Sequence, residues 1–308
     1  MDKSIVLNIC GVKSLGGLNV VESALKIFEK TEYKIILLHD NNLTPNINKD
    51  SDIQIIETNL KRYFHPYLNI FMKSKDLDTI NNAKAIIHFG NFGFKTQNKS
   101  FTLIQNLLPL VVTNMKNTLL YFFINKSCKQ SDYIIYQLDH AAEKIKNIYK
   151  NKLLKIGTVS NSTKPFNNEI GVIGIQSKIK NKNYDFMEEV LKKVATDFPD
   201  LKITKFNSEL EDNSNSLVDN FSNHNVYFHA SYYETVGLPL YEASSAGLFV
   251  VAPERDYTKY FDSTNSIKYE LGNTESATNS IKEAVNRKKD TLQSVTYKED
   301  WNPILENI

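Results

Sequence analysis

Residues 225–254 read NVYFHASYYETVGLPLYEASSAGLFVVAPE, and this stretch decides the fold. Residues 226–229 (VYFH) are a short β-prone run, and 233–237 form a loop. Pro239 stands where a first helical residue would stand, its φ already fixed and with no N–H to leave unpaired. Leu240, Ala243 and Ser244 continue a helical face, and Gly247 stops it. Residues 249–252 (FVVA) are apolar again and read as the next buried parallel strand.

The chemistry follows from that layout. The N–H groups of Gly237, Leu238 and the first helical turn point out of the helix end, which makes an anion site. Gly237 lets a phosphate approach the backbone with no Cβ in the way. Glu234 lies on the loop before this site, and Glu242 lies one turn inside the helix on the crevice side. An anion cradle flanked by two carboxylates suits a sugar nucleotide. Its phosphates take the N–H groups, and the carboxylates accept hydrogen bonds from hydroxyls. The plainer alternative is a strand–helix–strand unit whose glutamates are solvated.

The spacing Glu234, seven residues, Glu242, with Gly237-Leu238-Pro239 between, resembles the E-x7-E signature of retaining, family 4-like GT-B glycosyltransferases. Within them it is similar to the bacterial group that builds surface polysaccharide. That group usually reads Pro-Ser-x-x-Glu-Gly-Phe-Gly-Leu-Pro. Here the run is His229-Ala230-Ser231-Tyr232-Tyr233-Glu234-Thr235-Val236-Gly237-Leu238-Pro239, with changes at His229, Thr235 and Val236. The resemblance implies an α/β GT-B fold, two Rossmann-like doubly wound domains with an interdomain cleft.

Composition agrees with such a chain. A length of 308 residues fits two domains. A hydrophobic share of 41% with 23% charged residues is ordinary for a globular protein. A formal net charge of +2 gives no case for nucleic acid as a partner. Cys10 and Cys128 have neither CxxC nor metal-ligand spacing, and a reduced, cytoplasmic setting is the simplest reading. Residues 1–7 hold no long apolar run of the signal-peptide kind. The most apolar stretch, 103–123, is broken by Gln105, Asn106, Asn114, Lys116 and Asn117, so no membrane span is expected.

Along the chain, 4–10 (SIVLNIC) reads as the first strand, 11–19 as a glycine-bearing loop and 20–30 as a helix. That is how a doubly wound sheet opens, although the dinucleotide fingerprint is missing. Further strands are expected at 33–39, 53–57, 85–89, 102–105 and 133–137, and a helix at 139–149. Residues 152–168 read as a linker. Strands resume at 170–175 and 201–206, with helices at 185–198 and 217–222. The expected domains are 1–160 on the acceptor side and 165–290 on the donor side. A polar tail, 291–308, carries Trp301, and in the family the terminal helices cross back to the first domain.

The resemblance also implies roles. Gly16 and Gly17 would let the first loop sit close to the donor phosphate or sugar; the alternative is a tight turn. His88, at a strand end, would act near the anomeric carbon with Glu234, and a structural histidine is the competing reading. Family members carry Gly-Arg after the strand that here ends Gly174-Ile175-Gln176, so the arginine is absent. Lys182 fits the family lysine that clamps the diphosphate, whereas Lys178 and Lys180 read as a solvated basic loop. Gly237, Leu238 and Lys182 would stabilise the leaving diphosphate in place of a metal, and Glu242 would hold the ribose hydroxyls. No other cofactor is expected.

The expected activity is retaining transfer from a nucleotide-sugar donor to a saccharide or polyprenyl-diphosphate-linked acceptor. Contact with the inner face of a membrane is expected through 61–75 and 103–129, where lysines stand beside apolar side chains. Two alternatives stay open. One is a glycoside hydrolase using Glu234 and Glu242 as its carboxylate pair. The other is a catalytically silent GT-B protein that binds sugar or a partner, for which the missing arginine speaks.

Overall fold

The computed structural model describes residues 3–40, 45, 52–59, 62–149, 152–207, 214–287 and 290–308. Most of the Asn/Pro-rich loop at 40–52, most of the acidic loop at 208–216, and Lys61 lie outside them. The chain divides into two units, Met1–Thr158 with Glu299–Ile308, and Val159–Lys298.

The first unit runs β1 (Ser4–Asn8), α1 (Leu15–Phe28), β2 (Lys34–His39), β3 (Ile53–Glu57), α2 (Leu68–Phe71), α3 (Ser74–Asn82), β4 (Ala85–His88), β5 (Lys99–Leu103), α4 (Leu108–Val111), α5 (Met115–Gln130), β6 (Tyr133–Tyr136), α6 (Asp139–Tyr149) and β7 (Leu153–Lys155). Its seven strands pair in the order β3-β2-β1-β4-β5-β6-β7, all parallel. β1 and β4 are buried at every position, which is why they read as continuous apolar runs. The order reverses between β1 and β4, so the crevice at their C-terminal ends is where such a sheet takes ligands.

The last residues belong to this unit. Trp301 is fully buried, its ring 6.2 Å from that of Phe28 and 5.8 Å from that of Phe89. Its indole N–H donates to Ser23 Oγ at 3.1 Å. Removing so large a side chain from water is worth on the order of 4–6 kcal/mol before ordering costs.

The second unit holds β8 (Gly157–Pro165), β9 (Gly171–Gln176), α7 (Tyr184–Asp197), β10 (Lys202–Asn207), α8 (Ser214–Phe221), β11 (Val226–Phe228), α9 (Leu238–Ser245), β12 (Phe249–Pro253), β13 (Ser266–Tyr269), α10 (Thr274–Val285) and β14 (Thr291–Glu299). A short α11 (Asn302–Leu305) follows in the first unit. Five parallel strands order as β10-β9-β11-β12-β13, and β8 pairs with β14. Here the reversal lies between β9 and β11.

Four local readings are corrected. Gly16 and Gly17 lie in the first turn of α1 and not in a loop, because Ser14 caps the helix by accepting from Gly17 N–H at 3.1 Å. Residues 152–168 are not a linker: β7 and β8 form there, and β8 is ordered by its partner β14, which lies far along the chain. The tail is thus half strand. Pro239 is the second helical residue, since Leu238 already has helical form and Gly237 supplies the cap at φ 75°.

Candidate functional site

In the second unit the residues of 225–254 meet the loop after β9. Gly237 adopts a left-handed conformation that only glycine takes without strain. A Cβ there would sit 2.9 Å from Leu240 Cδ1 and 3.5 Å from Glu234 Cβ. Pro239 has no N–H, and Leu240 N–H closes on Gly237 O at 2.9 Å. The helix end can therefore offer no more than the N–H groups of Gly237 and Leu238, fewer than a full first turn.

Lys182 reaches Glu234 from across 52 residues, Nζ to Oε1 2.6 Å. A 3-10 turn at Lys180–Lys182 and Asn183, in left-handed conformation at φ 54°, set the lysine at the start of α7. The backbones lock together: Tyr232 N–H donates to Asn181 O at 2.9 Å, and the Asn181 amide donates to Tyr233 O. Burial pushes the Glu234 carboxyl up, but Lys182, His229 and Ser231 outweigh it and hold it below the usual carboxylate range. Glu242 is half-buried and burial alone raises its carboxyl. Burial raises the Tyr227 phenol well above its ordinary value, and the charges of Glu234 and Glu242 raise it further. A cavity of about 390 Å³ opens between the end of β9 and the start of α7, lined by residues such as Ser177, Lys178, Lys180, Asn183, Tyr184 and Tyr232; Lys182 and the two glutamates do not line it.

Sequence reasoning set His229 aside as a departure. The structure buries it behind Glu234, Nε2 to Oε1 3.7 Å, with Nδ1 2.9 Å from Tyr227 Oη. The available signal was its place at the end of the strand entering the motif, matching His88 at the end of β4.

In the first unit the glycines converge at the β1–β4 reversal. Gly11 and Gly90 both have positive φ, and a Cβ on Gly90 would come 3.4 Å from the Gly11 backbone. Gln105 Oε1 accepts from Gly90 N–H at 3.0 Å, and Asn91 Oδ1 accepts from Gln105 N–H at 2.6 Å. Neither Gly11 nor Gln105 was given a site role from sequence. Gly17 belongs to this cluster, since a Cβ on it would lie 3.1 Å from Val12 Cγ1 and 3.6 Å from Gln105 Oε1. Gly16 does not: a Cβ there meets nothing within 4 Å.

His88 is fully buried, its ring 5.1 Å from that of Phe94, and a Cβ on Gly93 would come 2.6 Å from its Cδ2. Asn8 Oδ1 accepts from Cys10 N–H, so the Asn8 amide turns its donor to His88 Nδ1 at 2.8 Å. That fixes the ring hydrogen on Nε2. Burial depresses the imidazole to about 3, so it is neutral at pH 7.

No family model matches the sequence, and no curated protein matches it. Solved structures do resemble it. Sucrose-phosphate synthase from Thermosynechococcus elongatus superposes with a TM-score of 0.65 at 12% identity, covering 91% of this chain and 89% of that one. WaaG, a glycosyltransferase involved in lipopolysaccharide biosynthesis, gives 0.65 at 10% identity, covering 92% and 90%. HepE of Anabaena, solved with UDP and glucose, gives 0.62 at 11% identity over 92% and 90%. At such identities the likeness concerns the fold, and the fold is GT-B.

Proposed function

We infer that the chain is a retaining glycosyltransferase that moves a sugar from a nucleotide-sugar donor to a saccharide or lipid-linked saccharide of a surface polysaccharide. One observation carries this reading. Lys182 pairs with Glu234 at the Gly237 end of α9, and Glu242 lies one turn inside the same helix. The solved GT-B structures, one of them holding UDP and glucose, support it.

The geometry suits the reaction as follows. The bond from the sugar C1 to the diphosphate breaks, the acceptor hydroxyl oxygen attaches on the same face, and its proton passes to the departing diphosphate oxygen. Negative charge grows on the leaving diphosphate. The N–H groups of Gly237 and Leu238 meet that charge in place, and Lys182 joins them by leaving Glu234. Glu234 accepts from donor-sugar hydroxyls and Glu242 from the ribose. Gly16 gives the acceptor-side unit a place without side-chain bulk. His88 orients Asn8 at the end of β1, and through it the rim of the crevice. In this reading the diphosphate needs no metal.

The experiment is a thermal-shift panel of nucleoside diphosphates and their sugars, run with EDTA. A cognate donor at 100 times its Kd adds about 2.7 kcal/mol by mass action. The reading fails if no nucleotide raises the unfolding midpoint. It loses metal independence alone if the shift or the turnover requires Mg²⁺ or Mn²⁺. Binding without turnover on any acceptor would favour the silent protein, the reading suggested by Gln176 where an arginine is expected.

A further inference from the structure

His229 takes no part in the roles above, yet its surroundings are specific. The Tyr227 phenol is buried and needs an acceptor, and His229 Nδ1 lies 2.9 Å away. Burial holds the imidazole near 4, so at neutral pH it carries one ring hydrogen. With Nδ1 accepting, that hydrogen sits on Nε2. The opposite tautomer would set a bare nitrogen against a carboxylate and leave the phenol hydrogen without an acceptor. Nε2 faces Glu234 Oε1 at 3.7 Å, too far for a hydrogen bond, and has no other partner among the described residues. Lys182 Nζ holds the same oxygen at 2.6 Å. The chain around the ring is pinned, because Tyr269 Oη donates to His229 O at 2.8 Å and Tyr257 Oη donates to Ser231 O.

We propose that His229 is a positioning residue, a reserve partner that takes Glu234 through Nε2–H when an anionic ligand draws the Lys182 ammonium away. Closing the gap from 3.7 Å to a hydrogen bond of about 2.9 Å moves the carboxylate by less than an ångström. Glu234 then stays ionised and in place while Lys182 serves the ligand. Without His229 the buried carboxylate would lose its cation and keep only neutral partners such as Ser231, and would take up a proton. The ligand class is a nucleoside diphosphate, and in this respect the inference rests on the function proposed above. The other groups facing Glu234 are Ser231, Tyr227 and Tyr257, and Lys268 acts on His229.

The decisive test needs no ligand. In a double-mutant cycle at pH 8, Lys182→Met imitates withdrawal of the ammonium and His229→Phe removes the reserve donor. The histidine change is expected to lower the unfolding midpoint by about 4 °C more in the Lys182→Met background than in the wild type. Additive shifts overturn the proposal. If His229→Phe does not fold, the cycle is run with Tyr227→Phe/His229→Phe, which removes both polar partners at once. Calorimetry with UDP in two buffers of different ionisation enthalpy gives the second reading. Wild type binds UDP with little proton uptake, His229→Phe with a marked uptake, and His229→Phe/Glu234→Gln with none. Equal proton balance in wild type and His229→Phe overturns the proposal. Absence of UDP binding in the wild type counts against a uridine donor, and the cycle alone then decides His229.

Discussion

Lys182 Nζ and Glu234 Oε1, 2.6 Å apart, satisfy each other at the mouth of α9. A diphosphate must therefore compete with Glu234 for its lysine. Glu234→Gln removes the competing charge and frees the ammonium. Nucleoside diphosphate affinity should hold or rise in this variant, while kcat falls by at least about 100-fold, because the carboxylate would act on the sugar. Lys182→Ala should lower diphosphate affinity by about 10-fold or more, as a charged hydrogen bond is worth ~1.5–3 kcal/mol. Calorimetry and initial rates separate the two. Equal loss of affinity in both variants would remove the competition from the account.

Glu242 is a half-buried carboxylate whose shift has burial as its only cause. Glu242→Ala should leave the fold intact by circular dichroism and weaken nucleotide-sugar binding by about 10- to 100-fold, the worth of a charged hydrogen bond to ribose. Unchanged affinity would take Glu242 out of the site.

The two glycines of α1 give a contrast. Gly16→Ala adds a Cβ into open space within a helix, where alanine is favoured by ~0.5–1 kcal/mol, so the melting midpoint should rise. Turnover should nevertheless fall if substrate approaches this backbone. Gly17→Ala would press on Ser14 Oγ, 3.2 Å from the new Cβ, and disturb a cap worth about 1 kcal/mol. It should be the less stable variant. A Gly16→Ala protein with normal turnover would leave that glycine without a role in binding.

Much of the second sheet was legible because 226–228 and 249–253 are buried on both faces and read as unbroken apolar runs. The glutamate spacing, Gly237 and Gly247 were legible for a like reason: each is local, and each glycine has a positive φ. β8 was not. Its residues are mostly exposed and polar, and only the pairing with β14, more than a hundred residues on, makes it a strand. The helical start at Leu15 was hidden because two glycines oppose a helix that Ser14 nevertheless caps. The surroundings of His88 and His229 were out of reach, since burial of a ring depends on residues such as Gly93 and Tyr257 that sequence does not place beside it.

Those two histidines set an acid limit. Burial holds His88 near 3 and His229 near 4, both below the ordinary 6.5. Each therefore contributes stability that is complete above about pH 6.5 and is lost as pH falls through its folded value. Between pH 6.5 and 4 each costs up to ~1.4 kcal/mol per pH unit. The Glu234 carboxylate, depressed from 4.5, adds its loss only at lower pH. Urea titrations between pH 7 and 4 should show stability falling steeply, and His88→Asn should remove about one proton from the slope. A flat profile in the wild type would mean that the rings are not buried in solution.

The acceptor reading makes the last prediction. Among the described residues no helix is long and apolar enough to cross a membrane. The first unit does expose large apolar side chains on two adjoining elements. Phe64, Ile70 and Phe71 stand at 64–71, and Met115, Leu119 and Phe122 follow one face of α5. Ile70 is 68% and Met115 90% exposed. Lys126 of α5 lies over the Tyr67 ring at 3.5 Å and joins the two elements. Exposed Lys73, Lys75 and Lys116 stand near these side chains in sequence, while Lys61 lies outside the described residues. Apolar rings with basic neighbours suit the headgroup region of an anionic bilayer, with ~1 kcal/mol for each basic residue near the surface. The protein should float with vesicles of anionic lipid at low salt and remain behind with neutral ones. Lys73→Ser/Lys75→Ser should weaken this at every salt concentration. Phe71→Ser/Phe122→Ser should abolish what salt does not, because the apolar part is unscreened. If the wild type stays in the soluble fraction with anionic vesicles, the membrane contact falls and a soluble acceptor takes its place.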